Sequence, residues 1–233
     1  MQALYGLAEK GYLRLIEPVA ALLIRLNASP NAITTFGTLC TLAGAGFYAA
    51  GHIMTAGWII GLTALFDVLD GTVARRTGKS TVFGAFYDST LDRVADGAVM
   101  SGLTIFYATS PVHHNIYMVV VCLVGIIGTY LISYTRARAE SLGIDAKVGL
   151  MQRPERVFLL SAPQALFGLF WSGWVLMGII VLLSITAWIT AVQRIVCVYN
   201  ATLEKDTVKL RVVGDTISQP KAAAINAPRQ AQL

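Results

Sequence analysis

Six apolar runs dominate the chain, at residues 31–50, 55–74, 83–108, 116–136, 154–171 and 175–199. Each is near the ~20 residues a helix needs to cross the hydrocarbon core of a bilayer. Their weight sets the composition: 55% of residues are hydrophobic and 13% charged, where soluble domains carry roughly 25% charge. The expected fold is therefore all-α, a polytopic membrane protein with six transmembrane helices. The third run exceeds the hydrocarbon thickness, so its first turns, with Gly84 and Asp88, are expected to protrude into the headgroup zone. The fifth is short and holds Pro163, a place for a kink.

The cations follow a topology. The 18 Lys and Arg fall in the N-terminal stretch, around residues 75–93, between Arg136 and Arg156, or from Arg194 onward. The connections near Gly51, Ser110 and Ser172 carry none. This positive-inside asymmetry puts both termini and the 67–96 stretch on the cytoplasmic side of the membrane. It also explains the net charge of +5 without a nucleic-acid partner.

Ahead of the spans, Tyr12, Leu15, Ile16, Val19, Leu22, Leu23 and Leu26 recur at helical spacing, with Lys10, Arg14, Glu17 and Arg25 on the other side. Residues 1–28 are read as an amphipathic helix lying in the cytoplasmic interface. Ser29 and Pro30 then supply a helix start. Residues 29–200 are expected to form one six-helix transmembrane domain and 201–233 a cytoplasmic tail, partly disordered. In the tail, alternation from Thr207 to Gly214 suggests a short strand or hairpin, and the Ala/Gln/Pro-rich end suggests disorder. Cys40, Cys122 and Cys197 sit in separate apolar runs without metal or disulfide spacing, and read as small apolar residues. The four tryptophans fit interface anchoring or packing equally.

Chemistry concentrates between Asp67 and Asp96. Asp67, Asp70, Gly71 and Ala74 are spaced i, i+3, i+4, i+7, and Gly84, Asp88, Asp92 and Asp96 follow at steps of four. Each set shares one helix face. Two antiparallel helices would bring those faces together, where so many like charges repel unless cations resolve the conflict. Hard divalent ions with oxygen ligands do so, which points to a two-metal carboxylate site. Gly71 and Gly84 leave room for a ligand near the backbone, and Arg75 with Lys79 can meet phosphate. A carboxylate one turn deeper than the ligands, Asp92, can take a proton.

The pattern D-x2-D-G-x2-A-R-x8-G-x3-D-x3-D resembles the signature of the CDP-alcohol phosphotransferases, with every fixed position present from Asp67 to Asp92. The resemblance implies transfer of a phosphatidyl group from CDP-diacylglycerol to an alcohol, release of CMP, two Mg²⁺ (or Mn²⁺) ions and a homodimer among membrane lipids. It assigns the metals to Asp67, Asp70 and Asp88 with Asp92 beside them, and the role of base to Asp92. Contacts to the nucleotide lipid fall to Asp67, Gly71, Ala74, Arg75 and Gly84, joined by Thr81, Pro30 and Asn31.

A second stretch frames the turn between spans four and five: Arg136 and Arg138 at one side, Arg153 and Arg156 at i, i+3 on the other, with Arg194 at the same depth on the last span. Any single arginine could be a positive-inside cap. Together they suit a dianionic phosphate. Within the family, SYTRARAE followed by QRPER is similar to the phosphatidylinositol phosphate synthases of actinobacteria and their archaeal relatives, which implies inositol 1-phosphate as acceptor. Phosphatidylglycerophosphate synthesis from glycerol 3-phosphate is the runner-up. An ion or proton transporter is the reading from another class, disfavoured because the acids crowd at one end of two adjacent spans.

Overall fold

The computed structural model describes residues 17–218, with side chains through residue 203. Residues 17–25 are helical. Six longer helices follow: α1 (Pro30–Ala49), α2 (Ile53–Thr77), α3 (Val82–Thr109), α4 (Ile116–Ser141), α5 (Arg153–Phe167) and α6 (Trp174–Ser218). A 3₁₀ turn, Phe170–Gly173, joins α5 to α6. Among the described residues there is no strand. Among the described residues four segments are long and apolar enough to cross a membrane: α1, α2, α4 and Phe170–Leu203. Of the other two helices, α5 has only 15 residues, and α3 carries Asp88, Asp92, Arg93 and Asp96.

Local chemistry sets the ends. Ser29 caps α1 by accepting from the Ala32 N–H at 3.2 Å, with Pro30 in the first turn. Thr81 does the same for α3 through the Gly84 N–H at 2.9 Å. Gly78 ends α2 at φ +64, a left-handed conformation that glycine adopts without steric cost. At the start of α5, the Glu155 carboxylate accepts from the Gln152 N–H at 2.9 Å.

The helices pack in a closed ring, α1 on α2, α2 on α5, α5 on α6, α6 on α4, α4 on α3 and α3 back on α1. One half of the ring is filled by a dry core including Tyr48, Ile60, Leu103, Phe106, Leu176 and Ile180. Buried Tyr48 donates its hydroxyl to the Leu160 carbonyl, tying α1 to α5. The opposite half carries the aspartates, with a small cluster of Ile33, Leu69 and Val73 under Ala20 of the leading helix. Outward-facing Phe36, Leu39, Leu62, Leu123, Ile127 and Ile185 remain exposed. An apolar surface of that extent fits a hydrocarbon solvent rather than water.

Two expectations are revised or bounded here. The segment from Thr207 to Gly214 is helical, within α6, and not a strand or hairpin. A formed helix adds each further residue at little cost, whereas a new hairpin must be nucleated on its own. Of the expected 1–28 interfacial helix, residues 1–16 lie outside the described residues, as does the end of the tail from residue 219. The cysteines are unpaired thiols, with Cys122 buried. The Trp188 indole N–H donates to the Val124 carbonyl at 3.0 Å, a packing contact between α6 and α4, while Trp58, Trp171 and Trp174 stay exposed.

The ring closes through backbone-to-backbone approaches at glycine. A Cβ on Gly57 would meet the Ala165 backbone nitrogen and lie 2.8 Å from the Ser161 carbonyl oxygen, and one on Gly102 would meet the Ala45 carbonyl. Gly57→Val or Gly102→Val should therefore destabilise the folded protein by about 1–3 kcal/mol, seen as a lower Tm in detergent. Gly46 has nothing within 4 Å of its would-be Cβ, so Gly46→Ala should be neutral or stabilising by about 0.5–1 kcal/mol.

Candidate active site

The two acidic helix faces meet as the spacing requires. Asp67 and Asp70 come from the second half of α2, Asp88 and Asp92 from the first half of α3, with Asp96 near its middle. Asp67, Asp88 and Asp92 lie within electrostatic reach of one another, and Asp70 within reach of Asp67 and Asp88. Each is held differently. Asp70, 7% exposed, accepts from the Thr34 hydroxyl of α1 at 2.6 Å. Asp67 accepts from Arg153 Nη1 at 2.6 Å, and Asp92 forms an ion pair with Arg153 Nη2 at 2.8 Å. Asp96 pairs with Arg156 Nη2 at 3.0 Å. Asp88 makes no hydrogen bond or ion pair among the described residues.

On one side of the aspartates is an open pocket lined by Pro30, Asn31 and Thr34 of α1, Asp70, Gly71, Ala74 and Arg75 of α2, the loop residues Lys79, Ser80 and Thr81, and Gly84 and Asp88 of α3. Every residue expected to contact a nucleotide lipid lines it, apart from Asp67. Two glycines keep its wall open. A Cβ on Gly84 would sit 3.0 Å from Thr81 Oγ1 and 3.4 Å from Asn31 Oδ1, and one on Gly71 would press on the Arg75 guanidinium at 3.4 Å. Lys79 Nζ is steadied by Asn27 Oδ1 at 2.7 Å.

On the other side is a cavity at the centre of the ring, walled by all six helices. Asp67, Asp96, Arg153 and Arg156 line its charged end, and Thr41, Thr63, Thr129 and Ser184 give it further polar groups among apolar ones. The five expected arginines divide here. Arg153 and Arg156 enter the cavity, 28% and 12% exposed at the side chain. Arg194 donates to the Val148 and Ile132 carbonyls, at 2.9 and 2.5 Å, pinning the 142–152 loop to α4 while staying within electrostatic reach of Arg136 and Arg156. Arg136 pairs with Glu140 at 2.9 Å, and Arg138 donates to the Ser141 hydroxyl at 3.3 Å.

The donor set fits a hard divalent cation: carboxylate oxygens from two helices, with a guanidinium already seated between Asp67 and Asp92, so the spot accepts positive charge. Among the described residues no three His, Cys, Asp or Glu side chains converge as a finished coordination sphere. Arg153 takes an oxygen from each of two of these carboxylates, Asp67 and Asp92. Thr34 is the site residue the sequence reading missed. Its signal is its place one turn after Pro30 and Asn31, on the same face of α1.

Three comparisons agree. A family model described as CDP-alcohol phosphatidyltransferase matches residues 27–202. The phosphatidylinositol phosphate synthase of Streptomyces avermitilis is 37% identical over 222 residues, covering 91% of this chain and 88% of the relative. The archaetidylinositol phosphate synthase of Methanothermobacter thermautotrophicus is 35% identical over 190 residues, 80% of this chain and 90% of the relative. The crystal structure of Mycobacterium tuberculosis phosphatidylinositol phosphate synthase with CDP-DAG bound superposes at a TM-score of 0.73 with 33% identity, over 80% of this chain and 94% of that one. The same enzyme in complex with manganese and citrate gives 0.72, at 33% identity, over 78% and 88%. With its signature aspartates gathered between two pockets at one end of a helical membrane bundle, the chain belongs to the CDP-alcohol phosphatidyltransferase family.

Proposed function

We propose that the protein transfers the phosphatidyl group of CDP-diacylglycerol to inositol 1-phosphate, giving phosphatidylinositol phosphate and CMP. The observation that carries this reading is the division of the site: a pocket of nucleotide-contact residues on one side of the aspartates, a cavity with two inward arginines on the other. Relatives named for phosphatidyl and for archaetidyl products share inositol phosphate as the headgroup. That common part favours inositol 1-phosphate over glycerol 3-phosphate.

In this reading Pro30, Asn31, Gly71, Ala74, Arg75, Thr81 and Gly84 seat the cytidine pyrophosphate, with Asp67 at its inner edge. Asp67, Asp70 and Asp88, with Asp92 beside them, would hold two Mg²⁺ or Mn²⁺ ions. Such ions neutralise charge on the pyrophosphate and steady the leaving CMP. Arg153 and Arg156 grip the acceptor phosphate, and Arg136, Arg138 and Arg194 add positive potential at the mouth. The acceptor hydroxyl oxygen bonds to the phosphorus that carries diacylglycerol, the bond from that phosphorus to the CMP oxygen breaks, and the hydroxyl proton passes to Asp92. The dry half of the ring keeps the charged end rigid.

The surroundings follow the same logic. Cationic connections at 75–81 and 136–156 against uncharged ones at 110–115 and 168–173 support six spans with the site facing the cytoplasm. For the leading helix, Ala20, Leu23 and Ile24 pack inward while Val19, Leu22 and Leu26 stay exposed, which supports an interfacial position. Glu17 clamps it to Arg76 through contacts of 2.6 and 2.8 Å. The division into an interfacial helix, residues 29–200 as the catalytic domain and a tail after them, together with the homodimer, belongs to the same proposal.

Two measurements test the roles. Asp70→Asn or Asp88→Asn should abolish Mg²⁺-dependent CMP release from CDP-diacylglycerol and inositol 1-phosphate in protein that still folds in detergent. Asp92→Asn should lose a factor of roughly 10²–10⁴ in turnover yet retain CDP-diacylglycerol binding; near-normal turnover in any of the three would overturn the assignment. Arg156→Ala removes charged hydrogen bonds of about 1.5–3 kcal/mol. Its KM for inositol 1-phosphate should rise roughly ten- to hundredfold, with CDP-diacylglycerol affinity little changed.

A further inference from the structure

Arg153 is in contact with the wrong partners for a residue that only binds phosphate. It is the first residue of α5, directly after the 142–152 loop. From there its two terminal nitrogens reach Asp67 of α2 and Asp92 of α3, at 2.6 and 2.8 Å, while Nε lies 3.8 Å from Asp96. Nε is buried and has no hydrogen-bond partner. Arg156, one turn later on the same face, touches only Asp96 among these carboxylates. The two neighbouring arginines therefore differ: one is bonded to carboxylates expected to hold metal, the other is not.

The oxygens that Arg153 occupies, Asp67 Oδ2 and Asp92 Oδ1, are donors a divalent ion would need. A guanidinium and a metal ion on the same oxygens would be like charges in contact, in a setting with little water to screen them. They exclude each other. A guanidinium expelled from the carboxylates by a metal ion remains beside the cavity that Arg156 already lines, where an anion is its best alternative partner.

We propose that Arg153 is a shared positioning residue that couples the metal site to the acceptor-phosphate pocket: it bridges Asp67 and Asp92 until divalent metal displaces it, and only then completes the anion site. This rests on the reaction proposed above and adds a thermodynamic consequence. Because binding free energies are linked, metal must tighten anion binding and anion must tighten metal binding by the same factor, typically about 5- to 150-fold for such couplings. A phosphorylated acceptor then binds well only to a metal-loaded site, which guards CDP-diacylglycerol against reaction before the acid cluster is in order.

The test uses the full chain in detergent, with Mn²⁺ binding followed by the electron paramagnetic resonance signal of free Mn²⁺ and sulfate as the anion probe. Titrations are run in sulfate and in chloride at equal ionic strength. The parent protein should bind Mn²⁺ about 5- to 150-fold more tightly in sulfate. Arg153→Gln should bind Mn²⁺ more tightly than the parent in chloride, having lost its internal competitor, and should no longer respond to sulfate. Arg156→Gln should lose sulfate affinity while its Mn²⁺ affinity in chloride stays at the parent value. If Arg153→Gln does not fold, Arg153→Lys, a cation without the bidentate fork, should shift both quantities in the same directions by less. Equal Mn²⁺ affinity of the parent in the two salts, or no tightening in the Arg153 variants, overturns the proposal. Asp70→Asn separates the two readings. If it leaves Mn²⁺ binding intact, the carboxylate metal site fails and the coupling with it; if it abolishes binding while sulfate has no effect on the parent, only the sharing by Arg153 fails.

Discussion

The bridge from Asp67 through Arg153 to Asp92 states the constraint under which the whole charged end is built. Asp67, Asp88 and Asp92 lie within reach of one another, with Asp70 and Asp96 beside them, on helices that otherwise bury apolar surface, and such like charges repel unless positive charge lies between them. The chain supplies that charge from a third helix. Bringing α5 against α2 is what delivers Arg153 and Arg156, and that contact depends on Gly57 lying against the backbone from Ser161 to Ala165. The chemistry at one end of the bundle thus leans on a close backbone approach well below it.

The same constraint explains why the ring is asymmetric along its length. Where Tyr48, Leu103, Phe106, Leu176 and Ile180 fill the middle, the helices have no polar demand to meet and pack to a dry core. At the other end, side chains that need partners keep the helices from closing, and two pockets remain. Thr34 on Asp70, Thr41 on Thr63 at 3.1 Å, and Thr35 with Tyr87 at 2.9 Å hold α1 against α2 and α3 with hydrogen bonds, where methyl packing alone would not fix a register.

How much of this was legible before the structure follows from the range of each force. Helix extents came through well, because a run of apolar residues and its caps are local: the run read at 31–50 is α1 at Pro30–Ala49, and Ser29 caps it. The acidic faces were equally legible, since steps of three and four fix a face once a helix is granted. The partners of Arg153 were not, because its choice of Asp67 and Asp92 over an open phosphate pocket spans 86 residues of chain in the first case and is decided by tertiary packing. The backbone partners of Arg194 were not legible for a similar reason, as carbonyls of two other elements claim its donors. At Thr207 to Gly214 local alternation was overridden by the helix it continues.

What the two pockets share is the strip of carboxylate between them, and that arrangement answers a problem set by the substrates. A nucleotide lipid and a phosphorylated alcohol are both anions, so bringing them together in an apolar bundle multiplies repulsion. In the proposed reaction Arg75 and Lys79 would offset one, Arg153 and Arg156 the other, and the cations expected on Asp67, Asp70 and Asp88 would offset the pyrophosphate where they meet. Yet the positive groups must not neutralise the aspartates so fully that no metal enters, nor leave them so bare that they protonate. A guanidinium that metal displaces satisfies both demands, because it sets positive charge between Asp67 and Asp92 without binding them as tightly as a divalent ion does. Lysine in its place would concentrate the charge on one nitrogen and bridge two carboxylates from different helices less well. The planar fork, set on the first residue of α5 where the loop gives it latitude, matches the two-helix geometry of the acids.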